Sequence, residues 1–326
     1  MSTLITGGAG FIGGWLSRAI AEDGGDVTIL DDFSRGQRDA FLDELRATGR
    51  VRVLDVDMME PSALENIGTE YRVIWHFAAH VGVRNVIEAP FDTLRDNFLL
   101  TECAIELARR QEALERFVFA STSEVYAGTL ENFELKLPTP EATPLCLTAL
   151  SSPRTSYMLS KLYGEAMVRH AGIPFTIFRP HNIYGPRMGM AHVIPELILK
   201  AHNAVAGGSI EVFSVDHTRT FCFIDDAVEM MRAAVETGAC RDQVLNLGSA
   251  SPETKIGDLA RIVIDTVGKR LDVLPQPATA GSPTRRCPDM SRMTDLTGKQ
   301  AQTTLVDGVA RTYDWYRRGL LELSSV

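Results

Sequence analysis

The sequence predicts an α/β fold: a doubly wound parallel sheet with a smaller C-terminal α/β lobe. Three observations predict it. Short apolar runs alternate with amphipathic helical runs as far as Pro180. A glycine-rich turn, TGGAGFIGG, separates the first strand-like run from the first helix-like run. The second strand-like run closes on an acid, Asp31. Strands that alternate with helices are joined by right-handed crossovers, which cover a parallel sheet on both faces.

The elements follow in order. TLITGG is a short buried strand, and FIGGWLSRAIAEDGG has helical spacing that stops at glycine. DVTILDD, RVRVLDVD and YRVIWHFAA are the second, third and fourth strands. TLRDNFLLTECAIELARR is a long amphipathic helix, and RFVFAST is the fifth strand. SYMLSKLYGEAMVRHAG is another helix, and PFTIFRP is the sixth strand. Beyond Pro180 the rhythm loosens. HNIYGPRMGMAH is turn-rich, VIPELILKAHNAVAGG is helical, and IEVFSVDHTRTFCFIDDAVEMMRAAVE reads as strand, turn, strand, helix. QVLNLGS is a strand, and KIGDLARIVIDTVGK and LVDGVARTYDWYRRG are late helices. This divides the chain into a sheet domain, 1–180 with 221–247 returning to it, and a lobe made of 181–220 and 248–326. The stretch Ala127 to Arg154 is expected to be irregular, a lid or binding loop.

Composition narrows the function. The chain has 326 residues, 45% hydrophobic and 23% charged, enough for a large core in one or two domains. A net charge of −9 without a basic block argues against nucleic acid as partner. Five cysteines without a C-x-x-C pair fit reduced thiols in a cytoplasmic protein better than a disulfide framework or a metal site. The N-terminus enters a strand at once, which leaves no room for a signal peptide, and no apolar run reaches the length of a membrane helix.

Two patterns carry chemistry. Gly8-x-Gly10-x-x-Gly13 follows a strand and opens a helix, the context of a dinucleotide fingerprint. Glycines let the backbone approach a pyrophosphate, and the helix N-terminus offers free N–H groups. Asp31 lies 18 residues after Gly13, where an acid accepts from ribose hydroxyls and repels a 2′-phosphate, so NAD is expected over NADP. Asp57 is a candidate adenine contact. In RTSYMLSK, Tyr157 and Lys161 fall one turn apart on one helix face. A free tyrosine has a pKa of roughly 10, and a nearby ammonium is expected to lower it.

TGGAGFIG, HFAA, STSEVY, YMLSK, RPHNIYGP, FIDDAV and RRCPD occur in this order across nearly the whole chain. Together they resemble the extended short-chain dehydrogenase/reductase family, in the branch that acts on nucleotide-linked sugars. The resemblance implies a Rossmann-like domain, tightly held NAD, a small-molecule nucleotide sugar as substrate, and a homodimer formed through helices 91–110 and 156–171. It implies that Gly7, Gly10, Phe11, Ile12, Asp31, Asp32, Asp57, Met58 and Ala78 hold the cofactor together with Tyr157 and Lys161. Tyr157 is then the base at the sugar 4-hydroxyl, Lys161 its stabiliser, and Thr122 the hydroxyl at the reacting oxygen.

On the substrate side the resemblance points to Thr122, Ser123, Asn182, His192, Val193, Phe213, Arg219, Arg286 and Asp289. Arg285 is an alternative to Arg286, and Arg187 and Arg154 are candidate partners for a uronate carboxylate. Departures are Ala127 after VY, Thr220 in TRTF, and His80 after HFAA, which is more readily a packed histidine than a ligand. Glu124 discriminates among reactions. Dehydratases of the branch read TDEVY, whereas Ser123 replaces the aspartate here. TSEVY resembles glucuronate decarboxylases, and AAHVGVR resembles glucuronate 4-epimerases. The expectation is a 4-epimerase acting on UDP-glucuronate or a related UDP-sugar, with decarboxylation as runner-up and a 4,6-dehydratase or a non-catalytic NAD-binding protein behind it.

Overall fold

The computed structural model describes residues 2–279 and 281–321. The N-terminal half alternates strands and helices: β1 (Ser2–Thr6), α1 (Phe11–Glu22), β2 (Asp26–Asp31), α2 (Ala40–Ala47), β3 (Val51–Asp55), β4 (Val73–His76), α3 (Val83–Glu88), α4 (Pro90–Arg109), β5 (Arg116–Ala120), α5 (Ala127–Asn132), α6 (Arg154–His170) and β6 (Phe175–Pro180). The strand Gln243–Leu247 comes back to pair with β6. The sheet therefore has seven strands in the order Gln243–Leu247, β6, β5, β4, β1, β2, β3, and every pairing is parallel. Sequence order reverses between β1 and β4, which opens a crevice at their carboxyl ends.

The strands are short because both faces are covered. Leu4, Ile5, Ile74, Phe117, Val118 and Ile177 are all fully buried, so apolar side chains fill both pleat directions. Leu16, Ile29 and Phe178 pack in the apolar layer on one face, and Leu4, Ala104 and Val168 in the layer on the other. α1 ends at Gly24, whose φ of +82° lets the Gly25 N–H return to the Ile20 carbonyl at 2.9 Å. Gly164 lets α6 lie flat on β5, since a Cβ there would sit 2.4 Å from the Phe119 ring.

The C-terminal lobe is made of small sheets. Thr218–Arg219 lies between Thr254–Lys255 and Arg285–Arg286. Ser209–Phe213 pairs in parallel with Asp272–Gln276. That second strand escapes a sequence reading because it contains Pro275 and buries no residue fully, only Val273 packing partly against the core. The segment 127–154 is less irregular than expected. A 3₁₀ turn, Ser123–Tyr126, runs into α5, and Thr139 forms a bridge with Pro288.

Candidate active site

The carboxyl ends of the central strands open onto one cavity of about 570 Å³. Its floor is the turn between β1 and α1. Gly7 has φ +68°, and a Cβ on it would lie 2.6 Å from the Ala78 nitrogen. A Cβ on Gly13 would lie 2.7 Å from the Gly7 carbonyl. The spacing that shapes the turn is therefore Gly7-x-x-Gly10-x-x-Gly13. Gly8 has an ordinary backbone and instead clears the Ile29 side chain, 2.8 Å from where its Cβ would be. Gly10 caps α1 with its backbone alone, so the first-turn amides carry the positive end of the helix dipole toward the cavity.

Asp31 is buried and knits this floor. Its carboxylate accepts from the Ala9 and Phe33 amides, each at 2.9 Å, while burial pushes its pKa up against those bonds. Each oxygen keeps a lone pair for a further donor. A glycine cradle that admits no Cβ, a bare helix N-terminus and an acid at the end of β2 fit a dinucleotide. Phe11, Ile12, Asp32, Asp57, Met58 and Ala78 line the same cavity.

At the other end, α6 meets the end of β5. Thr122 caps the 3₁₀ turn by accepting from the Glu124 amide at 3.2 Å, and its side chain acts on the Tyr157 phenol, favouring the phenolate. Lys161 Nζ donates to the Ala120 carbonyl at 2.8 Å and lies 5.0 Å from the centre of the Phe119 ring. The expected lowering of the Tyr157 pKa does not appear. Burial pushes the phenol up to about 12, Glu124 adds to the rise, and Thr122 and Arg35 oppose it. Burial also brings Lys161 down to about 8. The reason is that desolvation disfavours both charged forms, and the ammonium spends itself on a carbonyl. Beneath Lys161, buried His76 pairs with Thr6 at 2.8 Å and is driven down to about 3, so it stays neutral.

The third corner is charged. Arg286 donates to Glu124 at 2.7 Å and to the Ser123 hydroxyl at 3.3 Å. This guanidinium is the largest cause holding the Glu124 carboxyl below its usual range; burial opposes it, and Arg154 and Arg219 assist. Arg219 is pushed down to about 10, first by burial and then by Arg286.

The structure brings most of the sequence candidates together. Gly7, Gly10, Thr122, Ser123, Glu124, Tyr157, Lys161, Asn182, His192 and Arg286 all line the cavity. His192 does so as the residue that precedes the helix Val193–Asn203. Asn182 holds a positive φ of 43° and donates to the Thr220 carbonyl at 2.9 Å, which fixes the turn after β6. Val193, Phe213, Arg219 and Asp289 fall outside the cavity lining. Arg219 is buried against Ser282 and Pro283, Phe213 is 45% exposed beside Lys200, and Asp289 caps its own turn through Ser291.

One candidate is corrected. Arg187 is fully buried, and its guanidinium is committed to Asp39 at 2.7 and 3.0 Å and to the Gly10 and Gln37 carbonyls. It locks the floor of the turn with four of its five N–H groups, and so serves the fold rather than a uronate. Arg285 also turns away, forming a bidentate pair with Glu253. One residue goes beyond the sequence reading: Arg35 lines the cavity and acts electrostatically on Tyr157. His80, expected more readily as a packed histidine, lines the cavity with Asp96 3.7 Å behind. Arg35 sits four residues past Asp31, a position at which only a fold already in hand would raise suspicion. Among the described residues no group of His, Cys, Asp or Glu could hold a metal ion, all five cysteines are free, and no helix is long and apolar enough to cross a membrane.

Comparison with known proteins agrees with this geometry. The chain is 29% identical to the UDP-N-acetyl-alpha-D-glucosaminuronate decarboxylase of Bacillus cytotoxicus, over 96% of this chain and 97% of that one. It is 28% identical to the UDP-glucose 4-epimerase of Mycolicibacterium smegmatis, over 97% of this chain and 99% of that one. Among solved structures it resembles DesIV, the dTDP-glucose 4,6-dehydratase of Streptomyces venezuelae with NAD and TYD bound, with a TM-score of 0.82 at 26% identity over 98% and 97% of the two chains. The sequence pattern of the NAD dependent epimerase/dehydratase family matches residues 3–248. With its glycine cradle, Asp31 and the Tyr157–Lys161 helix arranged on a seven-stranded parallel sheet, the chain is an NAD-dependent enzyme of the epimerase/dehydratase family, within the extended short-chain dehydrogenases/reductases.

Proposed function

We propose that the enzyme oxidises C4 of a nucleotide-linked uronic acid and releases carbon dioxide from the resulting 4-keto sugar. When bound, NAD supplies the two-electron acceptor at C4 and the donor that later reduces the ketone. With the nicotinamide cation of bound NAD offsetting the burial that raises its phenol, Tyr157 takes the proton of the 4-hydroxyl while Thr122 holds that oxygen. Lys161, anchored on Ala120, presents its remaining N–H bonds to the cofactor end of the cavity.

The carrying observation is Glu124. Arg286 keeps it ionised, so it is no acid for expelling a 6-hydroxyl, and Ser123 supplies none. A fixed carboxylate beside the reacting sugar instead disfavours a second carboxylate. The 4-ketone makes the uronate a β-keto acid. The electron pair of the C5–carboxylate bond moves into the ketone, carbon dioxide departs uncharged, and the charge that grows on the C4 oxygen meets Thr122 and Tyr157. A proton from water then adds at C5, and Tyr157 returns its proton to the C4 oxygen as the ketone is reduced. The similarity to a glucosaminuronate decarboxylase supports this reading.

The second reading, 4-epimerisation, is favoured by economy. Tyr157, Thr122 and Lys161 are all it needs, Glu124 is already paired, and a UDP-glucose 4-epimerase is nearly as similar. Incubation with UDP-glucuronate, UDP-N-acetylglucosaminuronate and UDP-glucose, followed by mass spectrometry and proton NMR, separates the two. Loss of carbon dioxide is expected. An unchanged mass with inverted C4 couplings would establish epimerisation.

In either reaction we assign Ser123, Asn182, His192, Val193, Phe213, Arg219, Arg286 and Asp289 to the nucleotide sugar. The exposed Phe91 and Tyr163, on the packed pair α4 and α6, support a homodimer through these helices. Sedimentation at micromolar concentration tests it, and an active monomer would remove it.

A further inference from the structure

We propose that Glu165 and Arg179 are positioning residues: through Ser121 they set the reach of Thr122 toward Tyr157, and through Tyr126 and Asn246 they tie that setting to the strand that carries Arg286. The inference rests on the reading of Thr122 and Tyr157 given above.

Of three consecutive residues at the end of β5, two are gripped by residues of α6, and the third, Thr122, acts on Tyr157, which lies one turn before the first of them. The Ala120 carbonyl accepts from Lys161 at 2.8 Å. The Ser121 hydroxyl donates to Glu165 Oε1 at 2.6 Å. The Thr122 side chain acts on the Tyr157 phenol and favours its charged form. Residues 157, 161 and 165 lie on one helix face, so this register is set by helix geometry.

Glu165 does not stand alone. Arg179, near the end of β6, donates to its two oxygens at 2.8 and 2.7 Å, and both residues are almost fully buried. Arg179 Nη1 also donates to the Tyr126 hydroxyl at 2.9 Å and to the Glu141 carbonyl at 3.1 Å. The Tyr126 hydroxyl donates to Asn246 Oδ1 at 2.9 Å. Asn246 Nδ2 donates to the Thr139 and Asp289 carbonyls at 2.9 and 3.1 Å, and its amide donates to Glu141 Oε1 at 2.8 Å. Thr139 in turn pairs with Cys287 and Asp289, on either side of the Pro288 bridge and just beyond Arg286. The network joins β5, β6, α6, the 3₁₀ turn, the segment before Thr143 and the substrate-side strand.

Apart from Ser121, these groups lie behind the cavity wall, so they act through others. A buried ion pair adds little net stability over an apolar replacement. What it does enforce is direction. A bidentate guanidinium–carboxylate pair tolerates one orientation, and each further hydrogen bond fixes the next residue.

Ser121→Ala cuts the link to β5 and leaves the ion pair intact, while Glu165→Gln breaks the pair. Both are studied as NAD-loaded enzyme. The expected result is a kcat per bound NAD at least about tenfold lower with KM within about threefold, and a Tyr157 pKa raised further, because the Thr122 side chain that lowers it is misplaced. That pKa is read by carbon NMR of tyrosine labelled at the ζ-carbon and assigned with Tyr157→Phe. Ser121→Thr keeps the hydroxyl and restores both values. Asn246→Ala, at the far end, raises KM instead. A Ser121→Ala enzyme with wild-type kcat and an unmoved Tyr157 titration overturns the proposal, whatever its thermal stability. If Glu165→Gln does not fold, Ser121→Ala decides alone. The titration needs no substrate, so a wild-type enzyme idle on every uronate counts against the proposed reaction and leaves this test standing.

Discussion

The cofactor floor and the substrate wall meet at Thr122, and they are built from different materials. The floor is backbone: glycines that admit no Cβ, the free amides of α1 and the Asp31 carboxylate bonded to two main-chain N–H groups. Apart from Arg187, which locks it from a distance, its parts lie within a few dozen residues of one another. The wall is side chains brought from far apart, with Arg286 reaching Glu124 across 162 positions. The floor can hold many chemistries because it contacts only the cofactor, which carries its own reactivity. On the proposed reading the wall selects the reaction, because the charge on Glu124 is set by arginines from three other segments.

The largest test of that division acts at the seam. Tyr157→Phe removes the proton acceptor and nothing from the floor. Turnover is expected to fall by about 10² to 10⁴, while the NAD content of the purified protein stays at the wild-type level. A variant that keeps its activity, or that loses NAD along with it, would mean that wall and floor are not separable as drawn.

Gly7→Ala strikes the floor alone. The new Cβ would lie 2.6 Å from the Ala78 nitrogen on a backbone with φ +68°. Strain of this kind costs about 1–3 kcal/mol, and the turn must move off its contact with β4. Urea unfolding and NAD content are both expected to drop, and loss of only one of them would separate backbone strain from cofactor contact.

How far each region can be read from sequence follows from the same difference. The strand–turn–helix at the N-terminus, the acid at the end of β2 and the Tyr157–Lys161 spacing are local, so periodicity and turn chemistry expose them. Even there the glycine spacing moved from Gly8 to Gly7, because only a folded backbone shows which φ is positive. Arg187 was misjudged for a related reason. Nothing around YGPRM announces that its guanidinium reaches back to Asp39, the residue that also caps α2. The lowered tyrosine pKa was likewise a pairwise expectation. It took no account of burial, the largest cause acting on that group.

Burial has a measurable signature on the floor side. His76 is held neutral by burial with Lys161 assisting, and His181 by burial with Arg286 and Arg179 assisting; both pKa values drop from 6.5 to about 3. The unfolded chain therefore binds more protons than the folded one between these limits. The stability associated with neutral histidine is complete above pH 6.5 and is lost as the pH falls toward about 3. Urea unfolding across this range should show it, and His76→Asn should flatten the slope by one proton. An unchanged slope would mean that His76 is already charged in the native state.

The smallest expected effect tests the outer edge of the wall. Phe213 is 45% exposed and lies off the cavity, with Lys200 5.5 Å from the centre of its ring. Phe213→Ala should change stability by less than about 0.5 kcal/mol, as is usual for an exposed site without a buried partner. If the ring flanks a nucleotide base, stacking worth about 1 kcal/mol disappears, and UDP binding to the NAD-loaded enzyme weakens about fivefold by calorimetry. Unchanged binding would place the base elsewhere and confine the wall to residues that face the cavity. Its specificity would then rest on the arginines around Glu124 rather than on the lobe's outer strands.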